Sequence, residues 1–164
     1  MPEATWAQRL GIMDPDQARS IAHYSHGYQH DRFDELVVEH LARVAAAVPP
    51  EAQATAWLHD VLEQADGDPG ELCAAGLTRV ELAALELLTR VPAERYEIYV
   101  LRIAHAPGEV GRLARCVKIA DLDDHLAHDR IPQSAPPYAW ARRHIVSARL
   151  HRHESPSEAA PGAA

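Results

Sequence analysis

A proline pair, Pro49-Pro50, separates two segments whose apolar residues recur at helical spacing, and it constrains more than any other feature what this chain can fold into. Upstream, Leu36, Val37, Leu41, Val44 and Val48 repeat with the period of one helix face. Proline lacks an amide donor and clashes with the preceding turn, so that helix must stop at the pair. Downstream, a second helix is predicted from Glu51 to about Gln64. His40 lies as far before the break as His59 lies after it. An antiparallel hairpin turning at the prolines therefore sets the two imidazoles side by side.

Similar punctuation runs along the rest of the chain. Asp14-Pro15 reads as a helix start, Asp capping and Pro filling the first helical position, with the helix running to about Tyr28. Ala65 to Gly70 is a loop by its turn residues, and Glu71 to Ala75 a short helical turn before Gly76. Thr78 caps a periodic segment through Val80, Leu82, Leu85, Leu87 and Leu88. A helix is expected over about Ala93 to Ala106. Another opens at Pro107-Gly108 and continues through Val110, Leu113, Val117, Ile119, Ala120 and Leu122. Pro132 to Pro137 reads as a loop, and Tyr138 to His151 as a final helix. No segment alternates with period two, and there is no internal repeat or glycine-rich phosphate loop. The expected fold is all-α, a compact bundle of about six to eight helices, in one domain over residues 1–153 with a disordered tail over 154–164.

Composition narrows the partners. At 164 residues and 47% hydrophobic the chain can bury one sizeable core. Its 16 Lys and Arg against 24 Asp and Glu give a net charge of -8, which argues against a nucleic-acid partner. Cys73 and Cys116 form no paired motif, so neither a zinc-thiolate site nor a disulfide framework is expected. Met1 to Leu10 carries Glu3 and Arg9 and has no signal-peptide core, and no stretch approaches the roughly 20 apolar residues of a membrane span. The expectation is a cytoplasmic protein with no membrane partner.

The chemistry concentrates near two carboxylate motifs. His59-Asp60 sits inside the apolar run Ala56-Trp57-Leu58-His59-Asp60-Val61-Leu62-Glu63, with Glu63 on the same helix face. Asp121 sits in Val117-Lys118-Ile119-Ala120-Asp121-Leu122, where a buried carboxylate needs a cation or a metal. Two histidines and two carboxylates on separate helices can enclose one divalent ion with positions left open, on which a bound water ionises near neutral pH and attacks phosphorus. Lys118 reads equally as a phosphate contact or as a structural partner of Asp121 three residues on. Glu63 is the water-positioning candidate, against a solvated helix face. The basic run from Arg142 to His153 is read as a solvated helix end, the scattered His23, His26, His30, His105 and His128 as no further metal site, and Tyr96 and Tyr99 as helix packing.

This order of one histidine, a His-Asp doublet and a distal aspartate resembles the HD-superfamily phosphohydrolases. The resemblance is nearest to the (p)ppGpp hydrolase branch, the RelA/SpoT hydrolase domain and its small stand-alone relatives. It is carried by His26-Gly27-Tyr28-Gln29, Glu39-His40-Leu41-Ala42-Arg43-Val44-Ala45, Trp57 to Glu63, Leu88-Thr89-Arg90 and Val117 to Leu122. It implies an all-α fold, one manganese ion, and removal of pyrophosphate from the 3′ position of guanosine tetra- or pentaphosphate, a small phosphorylated nucleotide. It further implies His40, His59, Asp60 and Asp121 as metal ligands, Glu63 as the residue that positions the attacking water, and Arg32 and Lys118 near the substrate phosphates. Two positions depart from the pattern. Gln64 stands where the family carries a second catalytic acid, and His125 where many relatives carry a nucleotide-contacting asparagine. The strip before the first histidine, Phe33 to Val38, also lacks the family's guanosine-binding Gly, Pro and Tyr. A chain that keeps the site as a binding module, or an HD phosphatase of other nucleotides, is the alternative expectation.

Overall fold

The computed structural model describes residues 13–128 and 136–153, and among them the regular elements are helices, joined by one isolated antiparallel bridge between His30 and Leu36. The all-α expectation holds. Helix α1 (Pro15–His26) starts as its sequence dictates, the Asp14 side chain accepting the Gln17 N–H at 2.8 Å. It ends two residues earlier than expected, where Gly27 takes φ 49°. Helix α2 (Val37–Ala46) buries Val37, Leu41 and Val44 and stops short of the prolines. A 3₁₀ turn, Pro50–Ala52, then leads into α3 (Gln53–Leu58), which returns against α2.

The helix expected without interruption to Gln64 breaks at His59-Asp60 and resumes as a single turn, Val61–Gln64. The cause is local. His59 Nδ1 lies 2.8 Å from the Ala56 carbonyl oxygen, so a side chain competes with the backbone for that acceptor. The Asp60 carbonyl restarts the ladder by accepting the Gln64 N–H at 2.9 Å. The Asp60 side chain makes no capping bond and is left available to the pocket.

Next come α4 (Pro69–Ala74), capped by Asp68 and beginning two residues before the predicted turn, and α5 (Arg79–Leu88), held by a Thr78–Glu81 capping box. Helix α6 (Tyr96–His105) begins later than the expected Ala93. Ala93 takes φ 65° in a turn that the Arg90 guanidinium fixes by donating to the Glu94 carbonyl. The long α7 (Gly108–His128) and α8 (Tyr138–His153) complete the bundle. Most of the predicted Pro132–Pro137 loop and the whole predicted tail, 154–164, lie outside the described residues.

Two apolar clusters form the core. One gathers Val44, Leu88, Tyr99, Ile103, Leu113, Val117, Leu122 and Ile145, and the other Ala18, Ala22, Leu41, Leu58, Val61 and Leu85. Helices α2 and α3 contribute to both clusters, through Val44 and Ala56 on one side and Leu41 and Leu58 on the other. The histidines they carry therefore sit on backbone that is packed from two directions.

Gly111, in the first turns of α7, permits a close approach. A Cβ there would stand 2.0 Å from the Ala106 carbonyl oxygen, which also accepts Arg115 Nη1 at 2.7 Å. Glycine to alanine within a helix ordinarily stabilises by about 1 kcal/mol. Here the sign reverses, and Gly111→Ala should cost about 1–3 kcal/mol through backbone displacement. Thermal melting checks this, and a melting temperature equal to or above that of the wild type would refute the close approach.

Candidate metal centre

The site is built where α2, the α3 break and α7 converge. On α7 the buried stripe runs Leu113, Val117, Ala120, then Asp121 and Asp124, so helical period carries two carboxylates into the interior. Each must be compensated where it stands.

Asp121 divides its two oxygens. Oδ2 accepts from Lys118 Nζ at 2.7 Å. Oδ1 faces three imidazole nitrogens, His125 Nε2 at 3.1 Å, His40 Nε2 at 3.2 Å and His59 Nε2 at 3.7 Å. Burial opposes the charge, but Lys118 foremost, with the imidazoles, holds the Asp121 carboxyl well below the usual range. Burial likewise opposes the Lys118 charge, and Asp121 overrides it and holds that ammonium well above its ordinary value.

The two central imidazoles have fixed orientations. His40 Nδ1 is 2.8 Å from Asp124 Oδ2, and His59 Nδ1 is 2.8 Å from the Ala56 carbonyl oxygen. Both partners are acceptors, so each Nδ1 carries the proton and donates it. The lone pair of each neutral ring is thereby assigned to Nε2, on the side facing Asp121. The rings meet edge to face with centroids 5.4 Å apart, as the hairpin spacing predicts. His40 Nε2 is closed off from solvent and has no hydrogen-bond partner of acceptable geometry among the described residues.

This donor set suits a divalent ion. His40, His59 and Asp121 each offer one ligand atom, and these atoms lie within 4.8 Å of one another. All three residues are buried. Two neutral imidazoles and one carboxylate match the preferences of Mn, Fe, Co, Ni or Zn, and the orphaned His40 Nε2 is what a missing ligand bond would leave. Without an ion, protons take its place. Burial opposes the His40 charge, yet the Asp121 and Asp124 carboxylates outweigh it and raise its pKa from 6.5 to about 10. His59 moves in the same direction, Asp60 and Asp121 overcoming its burial.

The other residues singled out in the sequence are distributed unequally. Asp60 Oδ1 is 3.5 Å from His59 Nε2 and borders the cluster without belonging to the three-residue group. Glu63, Gln64, Lys118 and His125 line one pocket of about 230 Å³ with the cluster at its floor. Glu63 Oε2 accepts the Arg90 backbone N–H at 2.9 Å, which fixes that carboxylate to the wall. His125 stacks between His40 at 4.7 Å and Tyr138 at 5.0 Å. Arg32 stands outside the pocket lining, its guanidinium over the Phe33 ring and its Nη2 3.4 Å from the Tyr138 hydroxyl. Asp124 and Tyr138 are neighbours of the site that the motifs did not single out, and Arg90 lies in the quoted Leu88-Thr89-Arg90 stretch without an assigned role. Asp124 had a signal, because it continues the apolar stripe of α7 where a solvated residue is not expected.

Comparison of the chain with protein-family models and with curated proteins found no match. The HD resemblance rests on the quoted motifs.

Binding of an ion must displace the proton that His40 holds near neutrality, together with whatever share of one the upward shift leaves on His59. Calorimetric titration with Mn²⁺ in two buffers of different ionisation enthalpy should therefore show about one to two protons released per ion at pH 7. Affinity should fall on acidification. The metal-free chain carries the opposite dependence. The raised His40 pKa contributes stability that is fully present below pH 6.5 and lost as pH rises through about 10. Tight binding without proton release would place the ion away from these imidazoles.

Proposed function

We propose that the chain is a metal-dependent phosphohydrolase that acts on a nucleotide polyphosphate, with Mn²⁺ as its ion and a guanosine 3′-pyrophosphate such as ppGpp as its type of substrate. The observation that carries this reading is the convergence of His40, His59 and Asp121 at the floor of one pocket whose wall holds Asp60 and Glu63. A divalent ion at such a centre supplies Lewis acidity, offsetting phosphate charge and making water acidic near neutral pH.

The chain's own residues divide the remaining work. Glu63, tethered by the Arg90 amide, orients water and accepts its proton. Water adds to phosphorus, the bond from phosphorus to the ribose 3′ oxygen breaks, and pyrophosphate leaves while that oxygen regains a proton. Lys118 keeps Asp121 ionised and lines the pocket that admits the phosphates. Arg90 contributes positive charge to the same wall. Gln64 can hydrogen-bond there but takes no proton, which favours as second reading a chain that binds nucleotide without efficient turnover.

Incubating Mn-loaded protein with ppGpp and a panel of nucleotides, and following phosphate and pyrophosphate, separates these readings. Pyrophosphate release should fall by on the order of 1,000-fold in His59→Ala and Asp60→Ala. A slow wild type that Gln64→Asp accelerates would identify the missing acid as the cause. Silence of the wild type and Gln64→Asp across the panel, with one ion bound, would overturn the hydrolase reading. Activity confined to 5′-monophosphates would replace the substrate class.

A further inference from the structure

We propose that Arg43 is a positioning residue that sets the affinity of the metal centre, acting through Asp124 on His40; this rests on the reading of His40, His59 and Asp121 as a metal centre and is independent of the substrate. The geometry is continuous. Arg43 Nε donates to Asp124 Oδ1 at 2.7 Å and Nη2 to Asp124 Oδ2 at 2.9 Å, a fork onto one carboxylate. The opposite edge of the same guanidinium grips Glu35, Nη1 to Oε1 at 2.6 Å and Nη2 to Oε2 at 2.9 Å. Asp124 Oδ2 then receives the His40 Nδ1 proton at 2.8 Å. Arg43 and His40 lie three residues apart on α2, and Asp124 and Asp121 three apart on α7. Two helices thus present a matched pair of rungs, the ligands on one and their supports on the next.

Each link has a physical task. An acceptor at Nδ1 decides which imidazole nitrogen keeps the lone pair, and a carboxylate acceptor also makes the ring a stronger donor to an ion. Asp124 can serve only if it stays ionised and aimed, and the two-point fork from Arg43 secures both. Glu35 in turn fixes the guanidinium plane and lies on the pocket wall, so the wall and the ligand share one support. His128 Nδ1, 3.1 Å from Asp124 Oδ1, is a lesser partner on the exposed side.

Arg43 also carries a positive charge close to the proposed cation, and charge alone would act in the opposite sense. The test uses that opposition. Arg43→Lys keeps the charge and loses the planar fork, whereas Arg43→Met loses both. Positioning predicts that Arg43→Lys weakens Mn²⁺ and Zn²⁺ binding by about 10–100-fold in calorimetry, and that Arg43→Met is no tighter than the wild type. A simple charge effect predicts wild-type affinity in Arg43→Lys and tighter binding in Arg43→Met, and either result overturns the proposal. Glu35→Gln, at a half-exposed position, serves if the arginine variants fail to fold and should give a smaller loss in the same direction. Proton NMR of the metal-free and Zn-loaded chains gives a readout apart from activity. The downfield His40 Nδ1 proton should be protected in the wild type and exchange rapidly in Arg43→Lys; equal protection in both also overturns the proposal. A wild type that takes up neither ion overturns the metal centre and this proposal together, while wild-type affinity in Arg43→Lys and Glu35→Gln removes the proposal alone.

Discussion

One oxygen of one carboxylate organises the centre of this protein. Asp121 Oδ1 stands within 3.7 Å of three imidazole nitrogens from three different parts of the chain, while Oδ2 is committed to Lys118. A carboxylate this deeply buried is tolerated only with compensation close at hand. The demand reaches outward. It fixes where α2 must cross α7, since His40 has to arrive at Oδ1, and it fixes where α3 must break, since His59 has to point its Nε2 the same way.

The break in α3 shows how chemistry and backbone share a cause. In an unbroken helix the Ala56 carbonyl would serve the backbone amide ladder. Here His59 Nδ1 takes it as a partner, and the ladder is interrupted within one turn. The lost regularity is offset by what it fixes, a single tautomer for His59 and an Asp60 side chain not spent on capping. The apolar residues on either side, Leu58 and Val61, are both fully buried, so the interruption is clamped at each end. The same carbonyl-to-imidazole bond makes that segment poor as helix and good as ligand platform.

Much of this was legible in the sequence, for reasons that can be stated residue by residue. Asp14 and Thr78 mark helix starts because each accepts an orphan amide of its own first turn, a local interaction that needs no tertiary context, whereas Asp68, expected in a loop, caps α4 in the same way. The equal spacing of His40 and His59 about Pro49-Pro50 predicts their meeting because a hairpin is geometry alone. The departures arise where a distant or side-chain partner decides. Helix α6 starts late because Arg90 reaches across to the Glu94 carbonyl, and no periodicity encodes that reach. The resemblance implies Arg32 near the substrate phosphates, whereas its guanidinium lies over Phe33 and reaches the Tyr138 hydroxyl. Asp124 continues the apolar stripe of α7, a signal the sequence carries, but its partner is set only where α2 brings Arg43 against it.

The charge inside the pocket gives the ion a second task under the proposed function. The wall and floor carry Asp31, Glu35, Asp60, Glu63 and Asp121, against Arg90 and Lys118 as the permanent cations. Glu35 is neutralised by Arg43, and Lys118 spends its charge on Asp121. What remains facing the cavity is predominantly anionic, and a polyphosphate approaching it without a divalent ion meets repulsion at close range, where screening by salt is weakest. In the metal-free state the raised His40 and His59 pKa values lessen that repulsion by holding protons, but those protons occupy the nitrogens an ion would need. Ion and proton therefore compete for one set of atoms; an ion that displaces both protons leaves the net charge as it was, and what it would add is a Lewis acid to which phosphate oxygens can bind. Substrate affinity, and not turnover alone, should follow the occupancy of His40, His59 and Asp121.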